Sequence, residues 1–595
     1  MAEQRSSTLP PAYAVEDAEI GSDDMTLDDD YPVSTPLDRT IDRIGMGNYQ
    51  WALLTLCGMG WFADNMWLQA VAIILPRVQR HYDVSDEVVG LLSTATFAGM
   101  MFGAIGWGTC SDFLGRTTAF NLTLCFTTIF GIIASFMPSF KTLAFSLFLL
   151  GSSVGGSMPT DGTLLLEQLP KAKHYLLTAM SVFFSLGAVW TSIIALFIIP
   201  PYSCTAAGTS DCDVDAMNNG WKYLLMILSA FTGIMFLCRI IFFRLHESPR
   251  FLVATGRPQE ALVSLRKINK FNGGDLLIEI GDVSDQPSPA APASAYGVAE
   301  QPQPSGSTPP SYDSVGELPH PVHTSPIVES TPESPRRLRV RSASEVTTAS
   351  MLRRTPEWIR PLPRIIRRPL LAAHDRLEIT LSPEWRKTTL LVWAIWLLMS
   401  LGYTMVNVYM PKLLERRVPE LTGTMASNPS LLRGLSDLLV YTTAGIPGPL
   451  LGAWLVELPG LGGRRGALAI STFGTCVFYG TFTLVTDRAA VWASTIGCNI
   501  GAATMWAVLY GMTPELFETA VRGTACGTAS ALSRIGGMAA PLLGGWLLVL
   551  DPAFTVYVSI GVLFCAGVGV LFLNNPGEHD SADTSKSDYR PLSQQ

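Results

Sequence analysis

A chain of 595 residues that is 48% hydrophobic and only 15% charged is too apolar for an ordinary soluble domain, in which charged residues supply about a quarter of the total. Its formal net charge of -8 sums acidic tails, a basic central loop and neutral apolar stretches, and it points to no charged macromolecular partner such as nucleic acid. A surface that faces lipid accounts for the apolar excess.

In chain order, residues 1–50 read as a disordered, acidic, cytosolic tail with runs such as Asp28-Asp29-Asp30, and no apolar core of a cleavable signal lies in the first 40 residues. The first spanning helix is therefore expected to serve as the insertion signal. Apolar stretches of about 20 residues, the length a spanning helix needs, fall near 52–75, 88–108, 117–137, 141–160, 176–200 and 221–243. They make an expected six-helix bundle over 51–245. Residues 246–386 read as a cytosolic loop, largely disordered, because 282–350 is rich in Pro, Ser and Ala with few large apolar residues. Between about 336 and 368 the loop turns Arg-rich, which suits either anionic lipid headgroups or simple enforcement of topology. A second set of spans follows near 388–411, 435–456, 466–485, 489–511, 523–548 and 553–573, giving a bundle over 387–575 and a disordered cytosolic tail over 576–595. The expected fold class is an all-α membrane protein with twelve transmembrane helices in two six-helix bundles around a midplane site.

Basic residues collect in alternating connections: Arg116, Lys171 and Lys173, the central loop, Arg464 and Arg465, then Arg522. The positive-inside rule puts these segments and both termini in the cytosol and turns 201–219 and 486–488 outward, with Arg416 and Arg417 as exceptions. Ten cysteines form no CxxC pair or Cys/His cluster, so neither metal nor cofactor is expected. Most lie in or beside apolar helices as small core residues. Cys204 and Cys212 share the outer loop after the fifth span, where an oxidising compartment permits a disulfide.

The second span ends in Gly108-Thr-Cys-Ser-Asp112-Phe-Leu-Gly115-Arg116, echoed in the second half by Gly452, Glu457, Gly463, Arg464 and Arg465. Further segments are Asp42-Arg-Ile-Gly45-Met-Gly47, the Gly-rich run from Gly151 to Pro170, Glu247-Ser-Pro249-Arg250, Thr513-Pro514-Glu515-Leu516-Phe517 and Ser533-Arg534-Ile535-Gly536-Gly537. As a set these resemble the major facilitator superfamily, in the branch of synaptic-vesicle-protein-related and organic ion transporters. The resemblance implies alternating access and a cytosolic gate built from Gly108, Asp112, Gly115, Arg116, Asp161, Glu167, Glu457, Arg464, Arg465, Glu515 and Arg522, whose charges pair across the two bundles. Thr117 replaces the usual second basic residue, implying a weaker latch, while Leu147 and His174 replace usual arginines. The seventh span, Trp396 to Tyr409, lacks the glutamine pair of sugar porters, which disfavours hexose.

A carboxylate inside a spanning helix costs about 2.5–3.5 kcal/mol on insertion scales and tends to be functional. Asp64, midway along the first span, is the expected proton-coupling residue; the alternative is a carboxylate permanently hydrogen-bonded to its neighbours. Arg534, in the eleventh span, stands where organic anion transporters resembling this chain carry arginine, which implies an anionic substrate; alternatively it pairs internally with Asp64. Asn65, Tyr403, Asn407 and Trp506 are further substrate-binding candidates, with ordinary packing as the alternative. The expected function is secondary active transport of a small organic anion, nicotinate-like, coupled to protons, with no catalysed reaction. The rivals are an organic cation or drug exporter and a transport-dead sensor. Pro10-Pro11-Ala12-Tyr13 and Pro309-Pro310-Ser311-Tyr312 both fit PPxY, a site for a WW-domain ubiquitin ligase at a plasma, vacuolar or endosomal membrane.

Overall fold

A computed structural model describes residues 35–170, 173–174, 176–204, 213–241, 245–284, 374, 377–383, 385–422, 428–458, 460–517 and 519–573. The chain becomes regular earlier than its acidic composition suggests. Helix α1 (Pro36–Ile44) starts where Thr35 Oγ1 accepts the Asp38 N–H at 3.2 Å, with Pro36 in the first turn, Asp38 beside the positive end and Arg43 at the negative end. The tail expected to stay disordered to residue 50 is thus helical from Pro36.

The first half follows as α2 (Asn48–His81), α3 (Leu91–Leu114), α4 (Arg116–Ser135), α5 (Phe140–Val154), α6 (Ser157–Gln168), α7 (Ser181–Ile198) and α8 (Gly220–Ile241). Two short helices, α9 (Pro249–Ala254) and α10 (Pro258–Phe271), open the central loop. The second half comprises α11 (Arg386–Thr422), α12 (Asn428–Ala444), α13 (Gly448–Glu457), α14 (Gly463–Leu484), α15 (Arg488–Met512), α16 (Thr519–Leu550) and α17 (Pro552–Leu571). Every one of the twelve expected spans is helical, four of them interrupted: at Gly90 just before α3, at Gly155-Gly156 between α5 and α6, at Met180 just before α7, and around Gly445 to Pro447 between α12 and α13. Nine spans among the described residues are long and apolar enough to cross a membrane. The other three are α2, which carries Asp64, Arg77 and Arg80, the broken α5–α6 pair, and α15, where Asn499 sits among small residues.

Lipid is no worse a solvent for leucine than a protein core, so spanning helices associate through close packing. Gly99 and Gly103 of α3 meet the Phe148 and Ser152 carbonyls of α5, and Gly151 and Gly155 return the contact on the Thr96 and Met100 carbonyls. A Cβ at any of the four would overlap backbone, so two interlocked GxxxG spacings set this helix pair. Phe102, Ile105, Phe145, Phe197, Leu450 and Val477 are exposed, as a lipid-facing surface requires. The halves meet where α16 packs on α3, α12 on α7 and α11 on α2.

The opening of the central loop also folds. Leu37 and Ile41 of α1 share a core with Leu252, Ala261, Leu265, Ile278 and Val283. Arg43 pairs with Asp282 at 2.8 Å and Arg250 with Asp38 at 2.9 Å. Asn272 ties this clasp to the start of α2, accepting the Tyr49 N–H and donating to Gln50 Oε1, both at 2.9 Å. A loop expected to be largely disordered is therefore ordered through residue 284, and its Arg-rich part lies outside the described residues, as do Pro10, Pro11, Tyr13, Pro309, Pro310 and Tyr312. Cys204 is disulfide-bonded; Cys212, its expected partner, lies outside the described residues.

Candidate functional site

Between the halves lies a cavity of about 180 Å³. It is lined by α2, α3, α6 and α7 on one side and by α11, α12, α13, α15 and α16 on the other. Five residues singled out from the sequence, Asn65, Tyr403, Asn407, Trp506 and Arg534, all line it, although they come from helices more than 300 positions apart.

Arg534 is half-buried, and its guanidinium touches two thioethers, with Nη1 3.7 Å from Met100 Sδ and Nη2 3.3 Å from Met158 Sδ. Thioether sulfur is a weak acceptor, and Arg534 forms no ion pair among the described residues. The internal pairing with Asp64 is not formed. Trp506 packs edge-on to Trp396 and Tyr403 at 5.9 and 6.0 Å, tilts on Tyr510 at 5.7 Å, and leaves Nε1 without a hydrogen bond. Asn65 donates to the Phe184 carbonyl at 2.6 Å and Asn407 Oδ1 accepts from the Tyr441 hydroxyl at 3.1 Å. Those two asparagines thus brace neighbouring helices while facing the cavity.

Asp64 does not line the cavity. It is fully buried one residue before Asn65, and neither carboxylate oxygen makes a hydrogen bond of ordinary geometry, although the Ser157 hydroxyl is close enough to interact. Its remaining electrostatic surroundings are Asp161, Arg534 and Arg239. Asp161, expected as a half-buried gate acid, is instead sealed in the first half and paired with Arg239 at 3.1 Å. Arg239 also donates to the Phe120 and Leu56 carbonyls at 2.6 and 2.9 Å and lies over the Phe120 ring at 3.5 Å. A buried ion pair persists only where further hydrogen bonds support it, and here they reach both Arg239 terminal nitrogens, leaving Nε alone without one. Sequence reasoning missed Arg239, whose one signal was a cation inside the sixth apolar stretch.

At the end of the molecule that holds the starts of α2 and α11, the gate residues pair within each half. Arg116 meets Glu167 at 3.4 Å, and Arg464 pairs with Glu515. Glu457 and Arg465 form no ion pair among the described residues. Gly108 and Asp112 lie in α3, and the side chains of Asp112 and Arg522 lie outside what is described. Thr117, expected to weaken the latch, instead strengthens its frame: its Oγ1 donates to Glu247 at 2.8 Å, and Glu247 also accepts the Arg116 N–H at 2.9 Å. A carboxylate at the first turn of α4 satisfies otherwise unpaired N–H groups and complements the helix dipole. Gly115 makes room for it with φ 97° and a would-be Cβ only 2.6 Å from Glu247 Oε2.

The ion pairs that cross between halves, among the described residues, sit at the opposite end. Arg77 of α2 pairs with Glu415 of α11, and Lys412 of α11 pairs with Asp86 and donates to Gln79 at 2.6 Å. Both pairs are largely shielded from solvent, so the molecule is shut at this end.

Comparison with known proteins follows the same division. Residues 52–279 match the family model described as sugar (and other) transporter, and residues 438–594 match that of the major facilitator superfamily. The chain is 31% identical to "MFS siderochrome iron transporter 1" of Ceriporiopsis subvermispora, over 90% of this chain and 88% of that protein. It is 24% identical to the "Synaptic vesicle 2-related protein" of Xenopus laevis, over 93% and 83%. In fold it is similar to the inward-open conformation of the xylose transporter XylE from E. coli, with a TM-score of 0.56, 12% identity and coverage of 91% of this chain and 100% of that one.

Proposed function

The chain belongs to the major facilitator superfamily of integral membrane transporters, and on that premise we propose that it carries a small organic anion, coupled to protons, by alternating access. The observation that supports this most is Arg534: a permanently charged, forked donor facing the cavity, whose hydrogen-bond contacts among the described residues are two thioethers. A carboxylate or sulfonate supplies the bidentate partner that methionine sulfur does not. The charge of an anion and that of the guanidinium would then compensate each other in a low-dielectric site.

Asp64 is the proposed proton carrier. A buried carboxylate without hydrogen bonds carries an ionised charge only at high cost, and its place one residue from the cavity wall lets proton occupancy follow which side is open. The disulfide at Cys204 and the Lys/Arg distribution both support termini in the cytosol, because disulfides persist in oxidising compartments. On that orientation the Arg77–Glu415 and Asp86–Lys412 pairs close the outer face. The two PPxY segments, if read by a WW-domain ubiquitin ligase, would regulate residence at a plasma, vacuolar or endosomal membrane.

Uptake into proteoliposomes with and without an imposed pH gradient tests this directly. The panel holds organic anions, organic cations and an iron chelate of the siderochrome class, the last because a relative bears that name. Wild type is expected to accumulate an anion with the gradient, Arg534→Ala to lose recognition, and Asp64→Asn to keep exchange while losing gradient-driven accumulation. Preference for cations would establish the exporter instead, and binding without flux would establish a sensor.

A further inference from the structure

The cavity has a second polar end that the anion does not use. Gln69 of α2 and Ser93 of α3 both line it, each only 3% exposed. Gln69 Nε2 and Ser93 Oγ make no hydrogen bond. Several other polar groups on the wall are committed to the scaffold, Asn65 to the Phe184 carbonyl, Ser400 to the Ser533 carbonyl and Asn499 to the Tyr441 carbonyl, whereas Trp506 Nε1 on the second half is a further open donor. Buried polar groups in folded proteins almost always have a partner, so the two open ones that α2 and α3 bring to this cavity mark where a partner arrives.

The helix itself measures the separation. Arg534 touches Met100 of α3, and Ser93 lies seven residues earlier on that helix. A rise of 1.5 Å per residue puts the two ends on the order of 10 Å apart. Tyr403, Trp506 and Phe97 contribute ring surface to the wall, which suits a flat or aromatic middle.

We infer that the ligand is a two-ended elongated anion, with its charge on Arg534 and an uncharged hydrogen-bonding group, a hydroxyl or carbonyl, on Gln69 and Ser93. This rests on the anion reading of the same cavity and narrows it. A single-ring acid the size of nicotinate reaches one end only.

The test is inhibition of uptake in proteoliposomes by para-hydroxybenzoate, para-hydroxycinnamate and the para-hydroxylated biphenyl carboxylate, each beside its parent acid without the hydroxyl. One net hydrogen bond corresponds to an affinity gain of about three- to tenfold, expected for the hydroxyl on the longest acid and absent for the shortest. Gln69→Leu and Ser93→Ala should each erase that gain while leaving the parent acids within about twofold of wild type, since one hydrogen bond is all that is removed. Ser93→Ala deletes a single oxygen and guards against a Gln69→Leu chain that fails to fold. If the hydroxyl has no effect at any length, or if the variants weaken hydroxylated and parent acids alike, the two-ended ligand is overturned; the anion reading then still stands on whether Arg534→Ala abolishes inhibition. If cations displace the acids, both fall.

Discussion

Glu247 shows how much a single side chain can organise when its partner is a glycine. The carboxylate seats on the first turn of α4 because Gly115 adopts φ 97° and offers no Cβ to block it. Gly115→Ala places an L side chain in left-handed backbone, at a cost of about 1–2 kcal/mol, and pushes Glu247 off its seat as well. A lowered melting temperature for purified Gly115→Ala, with the Arg116–Glu167 pair loosened, is the expected result; an unchanged melt would show that the turn tolerates the substitution. The glycine and the arginine beside it were legible as a motif. The roles of Thr117 and Arg239 were not, because their partners Glu247 and Asp161 lie 130 and 78 residues away, and a short-range pattern carries no information about such distances. The same applies to Asp161, which the sequence offered as a gate acid and the fold sealed inside a bundle.

The spanning helices were legible because 20 apolar residues in lipid have few alternatives to helix. Their interruptions were not, because apolar length alone passes over Gly155-Gly156 and the polar Ser157 to Asp161 after it as it does over Gly445 to Pro447. The clasp is the element-scale surprise, yet its signal was present: Leu37, Ile41 and Ile44 recur at i, i+4 and i+7 after a Thr-Pro start. Averaged over an acidic tail, that stripe disappears. Leu265 is 2% exposed at the centre of the clasp core, and Leu265→Ala should cost about 2–5 kcal/mol. Amide exchange should then speed up across 36–44 while the spanning helices keep their protection. Acid should act in the same direction. The Asp282 carboxyl is held below its ordinary value, first by the Glu279 backbone N–H and then by Arg43. A depressed value means that the ionised form favours the folded clasp. That contribution is present above the unfolded carboxyl's range and is lost as the pH falls through the folded one, so protection in 36–44 should decline on acidification.

At the scale of the whole molecule, the two halves are held together by charge at one end and separated by a cavity toward the middle. The sequence showed the latch motif at the end that holds the helix starts, but the pairs that join the halves, Arg77–Glu415 and Asp86–Lys412, span 338 and 326 residues and have no local pattern. A hydrogen bond to a charged group is worth about 1.5–3 kcal/mol, so Glu415→Gln should raise the fraction open at this end by about tenfold or more. A cysteine introduced at Val408, on the cavity wall, should then label faster with an impermeant thiol reagent applied from that side. Reversing both charges, Arg77→Glu with Glu415→Arg, should return labelling toward the wild-type rate, whereas a rate that never changed would remove the pairs from the gate. One property of this gate is electrical. The first half contributes one cation and one anion, Arg77 and Asp86, and so does the second, Lys412 and Glu415. Within these four paired residues each half is neutral, so parting the pairs themselves moves no net charge through the field, where each unit charge would be worth about 2.3 kcal/mol per 100 mV. Voltage dependence of the transport cycle must then come from charges other than these four, cargo and protons among them, and the current per turnover would count their sum.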